Sequence, residues 1–201
     1  MPLNGYPVTQ EQVPKHLRAT RTALTRCFGR AVLTVFGWNV VGTIPDVKRV
    51  LIIAAPHTSN WDFVFAMAAV LGLNLRVRWL GKHTLFKPGA VWFMRWLGGI
   101  PTNREQPEDI VQYVADLSNR EEGVAIGLAP EGTRAKVSRW KTGFLRIAKL
   151  LDCPILLISL DFQGKHFIIG DLYQPTGDSE ADLAAIKSYY SGFQAKYPDK
   201  F

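Results

Sequence analysis

Three short apolar runs, residues 50–55, 123–128 and 154–160, set the limits on what this chain can fold into. Each has the length of a strand, shows almost no polar alternation, and gives way to a turn followed by residues that continue the chain. Strands of that kind are buried on both faces, as they are in a parallel sheet covered by helices. Elsewhere strand-like and helix-like stretches alternate. The expected architecture is therefore α/β, a mainly parallel or mixed sheet flanked by helices, preceded by an N-terminal amphipathic helix.

The first run ends in the turn Pro56, His57, Thr58, Ser59, Asn60, Trp61, Asp62, ahead of an apolar segment at 63–73. Open α/β sheets collect their chemistry at such strand ends. His57 is the one side chain of this turn that is half-ionised near neutral pH, so it can take a proton from a hydroxyl. Asp62, about one helical turn further on, can hold the ring in one tautomer and stabilise the imidazolium. A plainer reading of the same spacing has the His bonded to backbone at a helix start and Asp62 serving as the helix cap. The second run ends in Ala129, Pro130, Glu131, Gly132, Thr133 and Arg134.

Together, the His-x4-Asp turn and the Glu-Gly-Thr-Arg turn resemble the glycerolipid acyltransferase family, among them the bacterial 1-acyl-glycerol-3-phosphate acyltransferases. The resemblance spans roughly residues 38–165. It implies transfer of a fatty acyl group from acyl-CoA or acyl-carrier protein, as co-substrate and with no other cofactor, to the hydroxyl of a lysophospholipid such as 1-acyl-glycerol-3-phosphate. It makes His57 the general base and Asp62 its partner. Arg104, which ends a Gly-rich stretch, and Glu131, Gly132, Thr133 and Arg134 would seat the acceptor's glycerol phosphate. Lys82 matches a lysine of the family's basic loop at 81–89, and Lys141 is a further candidate. Two positions depart from the family pattern. Leu157 stands where a second proline usually follows Pro154, and Pro56 stands where many members carry a polar residue.

The residue chemistry is compatible with this. Arginines at 104 and 134 offer planar forks to phosphate, and Gly132 lets backbone come close. A surface ion pair is the plainer role for either arginine. Glu131 would repel a phosphate, so its expected role is to fix an arginine or accept a glycerol hydroxyl. Direct attack is expected, because neither cysteine sits beside a base and no serine lies in a Gly-x-Ser-x-Gly turn. The spacing of His57, Asp62 and His83 fits no closed metal site, so no metal is expected. Two alternatives remain: an acceptor without phosphate, such as a lyso-aminolipid, or a lipid-binding membrane protein without turnover.

Charge points the same way. With 24 basic and 17 acidic residues among 201, the net charge of +7 favours an anionic partner. Membrane lipids are the expected partner and nucleic acid is not, since no basic-aromatic nucleic-acid motif is present. Residues 14–36 read as a basic amphipathic helix, with Leu17, Leu24, Phe28, Ala31 and Val35 as its stripe. Lys15, Arg18, Arg26 and Arg30 fall opposite, and Arg21 alone lies near the stripe. Residues 1–36 are thus expected to form a membrane-associating segment and 37–201 the acyltransferase domain. A surface helix packed on the domain is the alternative. Trp92, Phe93, Trp96 and Leu97 can wall an acyl chain, dip into lipid or pack in a core. No uncharged stretch reaches spanning length, and residues 1–11 lack a signal peptide's features. The expected location is peripheral, at a cytoplasmic membrane face. Cys27 and Cys153 are expected to be small buried hydrophobes, and Ser179 to Asp182 to form a capping box.

Overall fold

The computed structural model describes residues 5–103, 107–137 and 140–201. Its elements run α1 (Ala23–Phe36), β1 (Asn39–Val41), β2 (Arg49–Ala55), α2 (Asn60–Leu73), β3 (Val77–Lys82), α3 (Val91–Trp96), β4 (Gly99–Thr102), α4 (Pro107–Arg120), β5 (Val124–Leu128), α5 (Gly143–Leu151), β6 (Ile155–Asp161), β7 (His166–Tyr173) and α6 (Ser179–Tyr190). The strands form one sheet in the order β1-β7-β6-β2-β5-β3-β4. From β6 through β4 all pairings are parallel, whereas β7 runs antiparallel to β6. The architecture is thus the mixed, mainly parallel α/β sheet that the apolar runs dictate.

β2 lies at the centre because both of its faces are apolar. Val50 and Ile52 join a core shared with Phe65, Ala69 and Leu73 of α2. Leu51, Ile53 and Ala55, on the other face, pack with Phe144, Ile147 and Leu151 of α5 and with Ile186 and Tyr190 of α6. The period of two along the strand divides the two cores. Each fully buried aliphatic side chain contributes about 1.5–3 kcal/mol relative to exposure.

Residues 5–36 share the first of these cores. Val8, Val13, Leu17 and Leu33 are buried in it. Where α1 crosses α2 it does so at Gly29, where an added Cβ would stand 2.5 Å from the Ala68 carbonyl oxygen and 2.6 Å from the Gly72 nitrogen. The segment expected to be helical from residue 14 makes only a short 3-10 turn at Lys15–Leu17 and becomes α-helical at Ala23, with Thr22 as its cap. Before that the backbone is used otherwise. Arg76 donates its N–H to the Leu17 carbonyl at 2.8 Å and Ala19 donates to Asn74 at 2.7 Å. These long-range bonds outweigh the local helical pattern.

Two smaller expectations are corrected. Cys27 is exposed on α1, while Cys153 is buried as expected. Ser179 does not cap α6. Asp178 does, accepting from the N–H groups of Glu180 and Ala181, and Asp182 is instead buried under the hydroxyls of Tyr173 and Thr176. Among the described residues no helix is long and apolar enough to cross a membrane.

Candidate active site

Strand register brings the two turns together. Ile53 of β2 pairs with Leu128 of β5, so His57, four residues beyond the first, and Glu131, three beyond the second, leave the sheet side by side. Both sit at the C-terminal ends of adjacent central parallel strands, where such sheets hold their ligands.

α2 begins with a reciprocal cap. Ser59 Oγ accepts the backbone N–H of Asp62 at 3.4 Å, and Asp62 Oδ1 accepts the Ser59 hydroxyl at 2.6 Å. Asp62 Oδ2 accepts the N–H groups of Thr58 and Ser59 at 2.7 Å each. The same oxygen lies 3.2 Å from His57 Nδ1. Cap and orienting group, which the spacing sets as alternatives, are one carboxylate. Its side chain is 3% exposed and tethered by several donors, whereas the His57 side chain is 26% exposed. A proton on Nδ1 directed at Asp62 leaves Nε2 as the basic nitrogen; this tautomer is inferred from the contact.

Glu131 takes a partner different from the expected arginine or glycerol. Its two oxygens accept the backbone N–H of His57 at 2.9 and 3.1 Å. The residue is 6% exposed. Burial pushes its carboxyl up to about 7, against the opposing effect of the His57 hydrogen bond and charge. Gly132 follows with φ +67°, a left-handed conformation that suits glycine, and its N–H closes the turn on the Ala129 carbonyl at 3.1 Å.

Among the described residues, the side chains of the remaining sequence candidates make no bond to His57, Asp62 or Glu131. Lys82 is the exposed last residue of β3. Thr133 is exposed and its hydroxyl accepts the Ala135 N–H at 3.3 Å. Arg134 is exposed and has no ion-pair partner among the described residues. Lys141 is exposed, and its N–H bonds the Pro130 carbonyl at 3.4 Å, which ties the entry of α5 to the Glu131 turn. Arg104 lies outside the described residues, just beyond β4. His83 is exposed in a short 3-10 turn after β3.

Some supporting residues have no sequence signal. The Tyr197 N–H bonds Thr58 Oγ1 at 3.3 Å, and the Tyr190 hydroxyl bonds the Ile53 carbonyl at 2.7 Å. A cavity of about 170 Å³ opens beside Glu131, with Trp140, Lys187, Lys200 and Phe201 in its wall. Ser59 was legible as a Ser-x-x-Asp cap; the Tyr190 and Tyr197 bonds join segments more than a hundred residues apart.

An apolar surface leads to the site. Leu24, Phe28 and Val35 of α1 are 81%, 63% and 79% exposed, and Trp92 of α3 is 68% exposed. At the far end of α1 the Phe36 ring lies 5.4 Å from that of Trp61, which immediately precedes Asp62. The expected stripe on α1 therefore faces outward, while Gly29 and Leu33 face α2. Leu17, assigned to that stripe, is instead in the core, as is Leu97 at the end of α3.

Comparison with known proteins gives the family and the fold. The sequence profile described as acyltransferase matches residues 37–161. The fold is similar to that of PlsC, the 1-acyl-sn-glycerophosphate acyltransferase of Thermotoga maritima, with a TM-score of 0.56 and 21% identity over 87% of this chain and 80% of that one. No protein of curated function matches the sequence significantly.

Proposed function

The chain belongs to the acyltransferase family, and we propose that it moves a fatty acyl group from acyl-CoA or acyl-carrier protein to the hydroxyl of a lysophospholipid, such as 1-acyl-glycerol-3-phosphate, at a membrane surface. The observation that carries this reading is the 3.2 Å contact between His57 Nδ1 and Asp62 Oδ2, at the mouth of the central strands. His57 Nε2 removes the proton of the acceptor hydroxyl as its oxygen attacks the thioester carbonyl. The C–S bond then breaks, the thiolate leaves, and the imidazolium, steadied by Asp62, returns the proton to the sulfur. Glu131 acts through the backbone, holding the His57 turn in place.

Membrane association is supported by the outward apolar faces of α1 and α3 and by the net charge of +7. Arg134 and Arg104 are the proposed grips on the acceptor phosphate, with Lys82 and Lys141 as lesser aids. PlsC of Thermotoga maritima, by its name, acts on a 1-acyl-glycerophosphate, which favours a phosphate-bearing acceptor here. The test is thiol release from long-chain acyl-CoA by purified protein, with and without a panel of lyso-lipids. Release that requires lysophosphatidic acid supports the proposal. Release only with a phosphate-free lyso-lipid changes the acceptor, and no release with any donor makes the protein a binder.

A further inference from the structure

The start of α1 meets the beginning of β3 in a cleft of about 350 Å³, lined by Arg21, Thr22, Thr25, Arg76, Arg78 and Trp96. It opens at the N-terminal end of β3, whereas Lys82 and the strand ends that carry His57 and Glu131 lie at the other edge of the sheet. The cleft is therefore separate from the candidate active site.

Its charges do not balance. Of its three guanidinium groups, two share the one carboxylate of Glu121, which lies 3.3 Å from Arg76 Nη1 and 2.8 Å from Arg78 Nη2, and Arg21 pairs with none among the described residues. Arg76 is further tied through Nη2 to the carbonyls of His16 and Gly123. Arg21 donates once, to the Leu75 carbonyl at 2.8 Å, and otherwise meets the face of the Trp96 ring, 6.0 Å from its centroid. Burial and the nearby charge of Arg78 both hold Arg21 below the usual guanidinium range. The Nε atoms of Arg76 and Arg78 are buried with no partner among the described residues. Like charges crowded in partly dry space are costly, and the cost is offset by an anion that can take several donors at once. The Thr22 hydroxyl, which accepts the Thr25 N–H, adds a neutral donor on the same wall, whereas the Thr25 hydroxyl donates to the Thr22 carbonyl at 2.8 Å.

The rim indicates where that anion comes from. Thr22 and Thr25 line the cleft at the start of α1, the helix that carries the exposed Leu24 and Phe28, and Trp96 lines it from α3, which also carries the exposed Trp92. An anion in the cleft thus meets two helices that both carry exposed apolar side chains, an arrangement that a headgroup with acyl chains fits and a free ion does not need. We propose that the Arg21, Arg76 and Arg78 cleft binds the phosphodiester headgroup of an anionic membrane phospholipid and so fixes how the protein sits on the bilayer. This rests on the membrane-surface reading above and is independent of the acyl-transfer step.

The test is calorimetric titration of the full chain with monomeric dihexanoyl-phosphatidylglycerol, which is neither acceptor nor product of the proposed reaction. Dihexanoyl-phosphatidylcholine and inorganic phosphate serve as comparisons. The wild type should bind the anionic lipid saturably and the other two about tenfold more weakly or worse, and an Arg21→Gln, Arg78→Gln double variant should lose about tenfold in affinity. Lys15→Gln removes a charge outside the cleft and should change affinity less than about twofold, since diffuse attraction is screened. Glu121→Gln removes the one carboxylate and should tighten binding, a result that misfolding does not produce. His57→Ala should bind the lipid as the wild type does, whatever its turnover. Equal losses in Lys15→Gln and the double variant, inorganic phosphate bound as tightly as the lipid, or unchanged or weaker binding in Glu121→Gln would each overturn the proposal.

Discussion

Glu131 holds the backbone N–H of His57 with both carboxylate oxygens, at 2.9 and 3.1 Å, so the carboxylate of one turn is bonded to the backbone of the other. The two turns are one unit, built on the adjacent strands β2 and β5. Family resemblance assigns Glu131 to the acceptor's seat, and the structure shows its carboxylate bonded to the loop that carries His57.

The buried carboxyl makes stability depend on pH in a defined direction. Its value is raised from 4.5 to about 7, so the folded state holds the proton more tightly than the unfolded state. The stabilisation is complete below the unfolded value and is lost as pH rises through about 7. Glu131→Gln keeps a neutral acceptor throughout. Urea unfolding should show the wild type losing about 3 kcal/mol relative to this variant between about pH 4 and pH 8. A difference that stays flat with pH would show that Glu131 is not buried as described.

Because Asp62 both caps α2 and orients His57, the two duties can be separated by substitution. Ser59→Ala removes the hydroxyl half of the cap and should cost about 1 kcal/mol of stability. Asp62→Asn presents an amide to the ring and favours the wrong tautomer, so turnover should fall by about 100- to 10,000-fold. If Asp62→Asn lowered activity no more than Ser59→Ala did, Asp62 would be a cap only.

Two leucines of the N-terminal region should behave oppositely. Leu17 is fully buried, and Leu17→Ala should cost about 2–5 kcal/mol. Leu24 is 81% exposed, and a Leu24→Ser, Phe28→Ser double variant should lie within about 0.5 kcal/mol of wild type. The same variant should sediment less with phosphatidylglycerol vesicles. Full vesicle binding by that variant would move the membrane contact away from α1.

Much of this was legible in the sequence for a physical reason. β2, β5 and β6 announce themselves because strands buried on both faces need uninterrupted apolar runs, and the pairing of His57 with Asp62 follows from Asp62's place in the first turn of α2, from which it reaches back over the preceding turn. What was hidden depends on residues far apart in the chain. The region before Ala23 has helical spacing locally, yet Leu17 and Ala19 bond to the start of β3 and to Asn74. The stripe on α1 has the spacing of a buried face, but Gly29 is what lets α1 approach α2, so the larger residues point outward. Asp178, one residue before the expected cap of α6, took that role because Asp182 was drawn inward by Tyr173 and Thr176. The partner of Glu131 emerges only from the register of β2 against β5.

The phosphate seat is tested at Arg134. Arg134→Ala should lower kcat/KM for lysophosphatidic acid by about 1.5–3 kcal/mol of binding, the worth of a charge-assisted hydrogen bond. Arg134→Lys should recover part of it, because the charge stays and the planar fork is lost. The KM for acyl-CoA should barely move. Sensitivity to Arg134 that is the same for an acceptor without phosphate would assign the arginine another role.

The most direct measurement is steady-state thiol release by His57→Ala, with the variant's thermal unfolding recorded alongside. If His57 is the base, kcat should fall by about 100- to 10,000-fold while the unfolding midpoint and lipid binding stay near those of the wild type. A folded His57→Ala protein that turns over within about tenfold of the wild type would contradict the mechanism.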